Sequence, residues 1–377
     1  MSKISTPMCI YNNTMTTEKF LRLTSHYVTF FLNYVLSEFR MMGKCVVCGR
    51  ESRYISSCLS VCLSCIRERP EEALEMARQV HRKVREEFGL PPYPPDDDNG
   101  IECNICANNC RIGEGKMGYC GVRRNEKGKL VEKHIFHTYY DPIPTNCCAS
   151  WFCGAKKGYN LAVFPFGCTF NCLFCQNWEH KKFEYGVEKK IEDLVREAER
   201  AECICYFGGT PEPQLPFLIR ATEKILEVKR VRICWEWNGT GNKNLVRRCA
   251  ELSCETDGTV KFDLKAFDEN LNIALTGMSN ARTLENFQMI AEEFDKENML
   301  NATTLLVPGY IDAIEVEKIA KFISSLDPDI PYSLLAFHPD FKMMDLPVTP
   351  RKLAEDCYRT AKKYLNRVHV GNVHLLV

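Results

Sequence analysis

The sequence carries no net charge, because 49 Lys and Arg balance 49 Asp and Glu. That balance excludes a chain-wide basic field of the kind that draws nucleic acid or an anionic membrane, and leaves open only a local basic groove. A membrane span is also missing. The most apolar region, residues 20–36, is rich in Phe, Val, Leu and Tyr. Its longest stretch without Asp, Glu, Lys or Arg, residues 23–37, is too short to cross a bilayer and contains Thr, Ser, His and Asn. An amphipathic helix is predicted there. No cleavable leader is recognised and Met41 or Met42 offers an alternative start, so residues 1–40 read as a peripheral, helical N-terminal extension. What the chain has in quantity is cysteine, 22 of 377 residues, bunched at ligand-like spacings rather than spread as framework pairs. In a chain of this length that pattern predicts metal sites in a reducing, cytoplasmic compartment. A length of 377 residues allows one large domain plus a smaller one, and the 45% hydrophobic content supports a sizeable core.

The most informative segment is Gly167-Cys168-Thr169-Phe170-Asn171-Cys172-Leu173-Phe174-Cys175-Gln176-Asn177. Three thiolates cannot close a structural zinc site, which takes four protein ligands. They can hold a cubane iron–sulfur cluster by three corners and leave the fourth iron open to a group that is not protein. Spacing alone leaves two alternatives: core cysteines, or a zinc site completed from elsewhere. The glycine before Cys168, Phe174 before Cys175 and the strand-like run 161–166 make the segment resemble the radical S-adenosylmethionine (SAM) signature, CxxxCx-aromatic-C.

From residue 161 onward short apolar runs alternate with amphipathic stretches. Strands are predicted at 161–166, 204–207, 231–237, 260–264, 302–307 and 332–336, and helices at 187–200, 215–229, 283–297 and 315–326. Six βα units in series predict a parallel sheet covered by helices, curled by right-handed crossovers. The expected fold class is α/β, a partial (β/α)6 TIM-like barrel over residues 159–377. Two cysteine-rich, metal-binding segments precede it, at 41–69 and 101–158. Between them, residues 70–100 read as a helix begun by Pro70, Glu71 and Glu72, followed by a Pro/Asp linker.

Ligand sites on such folds gather at the carboxyl ends of strands. The polar residues found there are Asn177, then Gly208-Gly209-Thr210, then Glu236, Asn238 and Gly239, then Asp263 and Lys265, and finally His338. Paired glycines admit close backbone approach to a ligand, and a carboxylate beside an ammonium suits a zwitterionic amino acid. Turns, a surface ion pair and a capping histidine are the plain alternatives. Together with Phe262-Asp263-Leu264-Lys265, Leu275-Thr276-Gly277-Met278-Ser279-Asn280, Thr283-Leu284-Glu285-Asn286, Leu306-Val307-Pro308-Gly309-Tyr310 and Leu334-Leu335-Ala336-Phe337-His338, these positions resemble the pyruvate formate-lyase activating enzymes over residues 161–340. The resemblance implies a [4Fe-4S] cluster on Cys168, Cys172 and Cys175. It puts Gly208, Gly209 and Thr210 against the methionine amino group of SAM, where the family usually has Gly-Gly-Glu. It puts Asn177, Glu236, Lys265 and His338 at SAM-contacting positions, with Asp263 nearby. It implies reductive cleavage of SAM and hydrogen-atom abstraction from a substrate in the barrel, with ferredoxin or flavodoxin as electron donor.

Upstream, Cys103-x-x-Cys106-x-x-x-Cys110 and Cys120-Gly121-Val122-Arg123 resemble the N-terminal motif of the AmmeMemoRadiSam branch of radical SAM proteins, which Gly371-Asn372-Val373 also suits. This set is expected to hold zinc or a second iron–sulfur cluster. Cys45, Cys48, Cys62 and Cys65 have zinc-ribbon spacing and are expected to hold zinc, with Cys58 spare. Cys147, Cys148 and Cys153 precede the first barrel strand as loop cysteines, active-site thiols or further metal ligands. Cys203, Cys205, Cys234, Cys249, Cys254 and Cys357 read as interior residues. The leading functional reading is a radical SAM enzyme of oxidoreductase or transferase type acting on an unidentified small molecule or protein. A glycyl-radical-enzyme activase is its more specific form. RNA modification ranks lower, because aromatic and basic residues are thinly interleaved in the 41–69 block. A zinc-stabilised binding module with a vestigial cluster is the non-enzymatic alternative.

Overall fold

The computed structural model describes residues 42–144 and 147–376, and the expected N-terminal helix at 1–40 lies outside them. Nine strands form the main sheet: β1 (Ile135–Pro142), β2 (Tyr159–Pro165), β3 (Val187–Glu188), β4 (Cys203–Tyr206), β5 (Arg232–Trp237), β6 (Val260–Asp263), β7 (Leu300–Leu306), β8 (Tyr332–Ala336) and β9 (Val368–Gly371). Their spatial order is β9-β8-β7-β6-β5-β4-β2-β1-β3. β2 and β4 to β9 run parallel, each beside its neighbour in the chain. The architecture is mixed α/β around a mostly parallel sheet, as the alternation of apolar runs and amphipathic stretches predicts.

Among the described residues nine α-helices accompany it: α1 (Leu63–Glu68), α2 (Pro70–Glu86), α3 (Ile191–Ala198), α4 (Leu215–Val228), α5 (Lys243–Glu255), α6 (Glu269–Thr276), α7 (Ala281–Glu293), α8 (Ala313–Leu326) and α9 (Arg351–Ala361). Local chemistry fixes their ends. Asn242 accepts from the Asn244 amide at 3.0 Å, Asp268 from Leu271 at 3.1 Å and Asp312 from Glu315 at 2.8 Å, each meeting an amide that has no partner inside its helix. α6 stops at Gly277, whose φ of 80° suits a residue without Cβ.

Strands covered on both faces read as near-continuous apolar runs, and β2 is buried over most of its length. Between sheet and helices a column of rings runs from Tyr206 to Trp235 (centroids 4.4 Å apart), Trp237 (5.9 Å) and Phe262 (5.5 Å). Trp235 also donates its indole N–H to the Cys249 carbonyl of α5 at 3.1 Å. Each such ring, fully withdrawn from water, contributes roughly 1.5–3 kcal/mol.

Three strands of the main sheet were not predicted: β3 takes the first residues of the stretch expected to be helical from 187, so that α3 begins only at Ile191. β9 adds a seventh parallel strand beside β8. β1, which lies in the expected second cysteine-rich segment, pairs antiparallel with β2 from Phe136 opposite Pro165 to Pro142 opposite Tyr159. The upstream blocks pack directly on the barrel elements. Arg67 of α1 bonds Asp312 at 2.8 and 2.9 Å and Glu315 at 3.3 Å, and Tyr310 bridges the Ser56 amide and the Val61 carbonyl at 3.0 Å each. The Ala107 amide donates to Thr240 O at 2.9 Å and the Asn242 amide to Ile105 O at 2.8 Å.

Candidate active site

The strand ends and the cysteine loop after β2 enclose a cavity of about 830 Å³. Cys168, Cys172, Cys175, Asn177, Gly208, Gly209, Thr210, Glu236, Asp263, Lys265 and His338 all line it. Positions spread over 171 residues of sequence thus face one space, because the parallel crossovers return every strand to the same end of the sheet.

The cysteine loop is held from behind. The Asn171 amide donates to Thr276 O at 2.7 Å and the Leu173 amide to Leu275 O at 3.1 Å, both at the end of α6. The Asn171 side chain meets His81 Nδ1 at 2.9 Å, and His81 Nε2 lies 3.1 Å from the Ala274 carbonyl. A neutral ring satisfies both contacts when Nε2 carries the proton and Nδ1 accepts from the Asn171 amide. Burial on α2 holds His81 in that neutral form, with its pKa lowered to about 4. Asn238 donates to Thr169 Oγ1 at 2.7 Å and lies 3.8 Å from Cys168 Sγ, while Asn108, from the upstream block, donates to the Thr169 carbonyl at 3.0 Å.

Burial pushes all three thiols up, Cys172 to about 12, and Cys168 and Cys172 are raised further by the neighbouring sulfurs. Three such thiols ionise together only when a cationic centre sits among them, so the donor set fits an iron–sulfur cluster held by three protein ligands. Lys181 is buried nearby, with its Nζ 3.2 Å from His180 Nε2. Burial lowers its pKa, against which the cysteine thiols act. In sequence His180-Lys181-Lys182 looks like a solvated basic run. The short 3₁₀ turn Trp178–Lys181 is what tucks Lys181 inward.

Gly208 and Gly209 are required by packing. A Cβ on Gly208, at φ 106°, would meet the Phe164 ring at 2.6 Å, and one on Gly209 would meet the Gly167 carbonyl at 2.2 Å. The second contact brings the Gly-Gly turn directly under the cysteine loop. Thr210 turns its hydroxyl onto the carboxylate of Glu212, which is fully buried and accepts from the Gly239 and Thr240 amides at 2.7 and 3.1 Å. Glu212, which the sequence reading did not single out, thereby ties the loop after β4 to the loop after β5. Burial pushes its carboxyl up to about 7, although these hydrogen bonds work in the opposite direction.

The charged wall is a ladder. Lys261 Nζ stands 2.9 Å from Glu236 and 3.2 Å from Asp263, and Lys265 stands 2.7 Å from Asp263. Burial opposes ionisation of Asp263, but the two ammonium groups and hydrogen bonds from Lys265 and Thr303 outweigh it and hold the carboxyl well below its usual range. Lys261 was not anticipated. It sits in the run Val260-Lys261-Phe262, and its placement follows from the strand period of two, which turns Lys261 and Asp263 to the same face. His338 bonds Asp340 at 3.0 Å.

Of the upstream cysteines, the Cys45, Cys48, Cys62 and Cys65 sulfurs all lie within 4.8 Å of one another, a metal-binding cysteine cluster. Among the described residues no other group of ligating atoms is gathered as tightly. Cys103, Cys106, Cys110 and Cys120 are nevertheless near enough for charge on one to be felt at the others. Cys58 stands apart from both sets, half-buried near Lys342 and Asp345.

Residues 163–323 match the sequence profile of the Radical SAM superfamily. An uncharacterized protein of Methanocaldococcus jannaschii is 28% identical over 295 residues, 74% of this chain and 84% of that protein. The isethionate sulfite-lyase activating enzyme of Desulfovibrio desulfuricans is 32% identical over 164 residues, 41% of this chain and 50% of that protein. The pyruvate formate-lyase 1-activating enzyme of Escherichia coli is 25% identical over 200 residues, 49% of this chain and 78% of that protein. Among solved structures, a domain of a pyruvate-formate lyase-activating enzyme from Bacteroides vulgatus aligns with 46% of this chain and 100% of its own, at 18% identity and a TM-score of 0.39. Residues 163–323 thus carry a radical SAM domain, which, with relatives named as activating enzymes, supports an enzyme of radical chemistry. Among the described residues no helix is long and apolar enough to cross a membrane.

Proposed function

We propose that Cys168, Cys172 and Cys175 hold a [4Fe-4S] cluster and that SAM lies over it in the same cavity. Asn177, Gly208, Gly209, Thr210, Glu236, Lys265 and His338 would bind SAM, with Asp263 beside them, and a substrate would share the cavity near Lys261. The observation that carries this reading is the convergence of all these side chains on one cavity of about 830 Å³. When bound, the cluster and SAM supply one-electron cleavage of the sulfonium C–S bond, which delivers a 5′-deoxyadenosyl radical. The protein's part is positional. The loop contacts from His81, Asn171 and Asn238 fix the cysteines, and the Gly-Gly turn brings bare backbone up to the ligand. The barrel wall excludes water from the reacting centre. The paired charges suit a substrate that carries polar or ionised groups, since an apolar one would leave them desolvated without compensation.

A reductant such as ferredoxin or flavodoxin would supply the electron. The number of free thiols supports an anaerobic, reducing, cytoplasmic setting. The Cys45 set suits zinc: a tetrahedron of sulfurs ~2.3 Å from zinc has edges of ~3.8 Å, and two of its sulfur pairs stand 3.7 and 3.8 Å apart. Zinc or a second cluster would occupy the Cys103 set. A second functional reading, a glycyl-radical-enzyme activase with a protein substrate, is favoured by relatives whose names contain "activating enzyme". Ser150, Trp151, His374 and Leu375 wall the cavity and favour a substrate small enough to share it with SAM.

The test is direct. Anaerobic, iron-loaded, reduced protein given SAM is expected to release 5′-deoxyadenosine, and Cys172→Ala is expected to lose both the cluster and the product. Intact SAM after incubation with loaded, reduced wild type would refute the reading. Deuterium passing from a labelled small molecule into 5′-deoxyadenosine would favour that substrate class, and deuterium passing only from a partner protein would favour the activase.

A further inference from the structure

A second group of thiols meets at the opposite end of the barrel. β4 turns Cys203 and Cys205 to one face, and β5 sets Cys234 in register beside Cys205. That face is the interior one. Cys205 and Cys234 each retain 7% exposure while Ile204, Tyr206, Ile233 and Trp235, which alternate with them, retain none. Residues 147–153, which precede β2, lie across the amino-terminal end of the strands. Trp151 donates to Ser333 Oγ at 3.0 Å and stacks on His369 with centroids 5.3 Å apart. The same loop carries Cys147, whose Sγ lies 3.7 Å from Glu236 Oε1, and Cys153. Cys147 is close enough to interact electrostatically with Cys205 and Cys234, and Cys153 with Cys203 and Cys234. All five are free thiols.

Buried cysteines commonly act as small apolar side chains. Apolar packing gives no reason for five of them to be drawn from two strands and one loop to the same end of the strands, with Cys205 beside Cys234 and Cys147 reaching the carboxylate two residues beyond Cys234. We infer that the floor of the barrel holds a second iron–sulfur centre, ligated from among Cys147, Cys153, Cys203, Cys205 and Cys234. Tight gathering of the kind found in the Cys45 set is absent here among the described residues, as it is at Cys168, Cys172 and Cys175. Single-ion coordination calls for that closeness, whereas a cluster interposes several irons between its sulfurs. Cys203 pairs with the start of β2 and Cys168 follows its end, so the two centres stand roughly 20 Å apart along the strands, with the cavity between them.

The experiment compares iron and acid-labile sulfide per chain in the anaerobically reconstituted full-length wild type and in Cys205→Ser/Cys234→Ser. The double variant is expected to lose one cluster's share of both, while the change that SAM causes in the spectrum of the Cys168 loop cluster persists. The loop variant Cys147→Ala/Cys153→Ala is expected to give the same loss without touching the sheet. Cys249→Ser, which alters a buried thiol on α5, is expected to lose nothing. Wild-type iron and sulfide in both double variants, or zinc lost in place of iron, would overturn the inference. This result is separable from the proposed function, because failure of SAM cleavage in the wild type tests the Cys168 loop and leaves the floor's iron count unaffected.

Discussion

At the scale of the residue, what could be read from sequence was what chemistry imposes locally. Cys168, Cys172 and Cys175 lie within eight residues, so their spacing carries their geometry with it. Glu212 is the contrary case. In sequence it is one acid in Gly-Gly-Thr-Pro-Glu-Pro, and its burial becomes visible only when the Gly239 and Thr240 amides arrive from the next βα unit. Its carboxyl rises from 4.5 to about 7 on folding. The folded state therefore binds the proton more tightly than the unfolded chain, so this contribution to stability is full below pH 4.5 and is lost as pH rises to 7. The loss amounts to ~3 kcal/mol at most. In Glu212→Gln the carbonyl can still accept from both amides and the NH₂ can donate to Thr210, so the variant should lack this component. Urea midpoints at pH 5 and pH 8 are expected to fall more for wild type than for Glu212→Gln. Equal falls would show that Glu212 does not titrate between those values.

At the scale of the element, the alternation of strand and helix was legible because each amphipathic stretch displays its own period. β1 and β9 were not. β9 is four residues long, and β1 gains its place by pairing with β2, a contact no local pattern announces. The attachments of the upstream elements were equally invisible. His81 of α2 joins α6 to the cysteine loop through Ala274 and Asn171. His81→Ala is expected to leave the Ala274 carbonyl unpaired and the Asn171 side-chain NH₂ with only its 3.5 Å contact to the residue-81 carbonyl, and to cost about 1–3 kcal/mol. A urea midpoint unchanged from wild type would contradict this. Docking of residues 43–69 through Arg67, Ser56 and Val61 depends on the fold that the Cys45 set closes. In Cys45→Ser/Cys48→Ser, amides of residues 52–69 are expected to lose hydrogen-exchange protection while β7 keeps it. Simultaneous loss in β7 would mean that the block is part of the barrel's own folding unit.

At the scale of the whole molecule, cysteines define four regions among the described residues: the gathered Cys45 set, the Cys103 set, the loop at the carboxyl ends of the strands and the group on β4, β5 and the segment before β2. Cys205 and Cys234 are buried, as expected of interior residues. The register of β4 with β5, which no single strand announces, sets them side by side. Zero net charge agrees with a chain whose charged side chains are spent in pairs, including the ladder inside the cavity. The central claim is that the three-cysteine loop and the surrounding strand ends hold a cluster and SAM together in one space. Its most direct test is the electron paramagnetic resonance spectrum of the reduced protein, prepared with floor variant Cys205→Ser/Cys234→Ser to simplify the signal. Addition of SAM is expected to shift the spectrum, and Cys172→Ala is expected to abolish the SAM-responsive signal. A fully loaded, reduced cluster whose spectrum is indifferent to SAM would contradict the account.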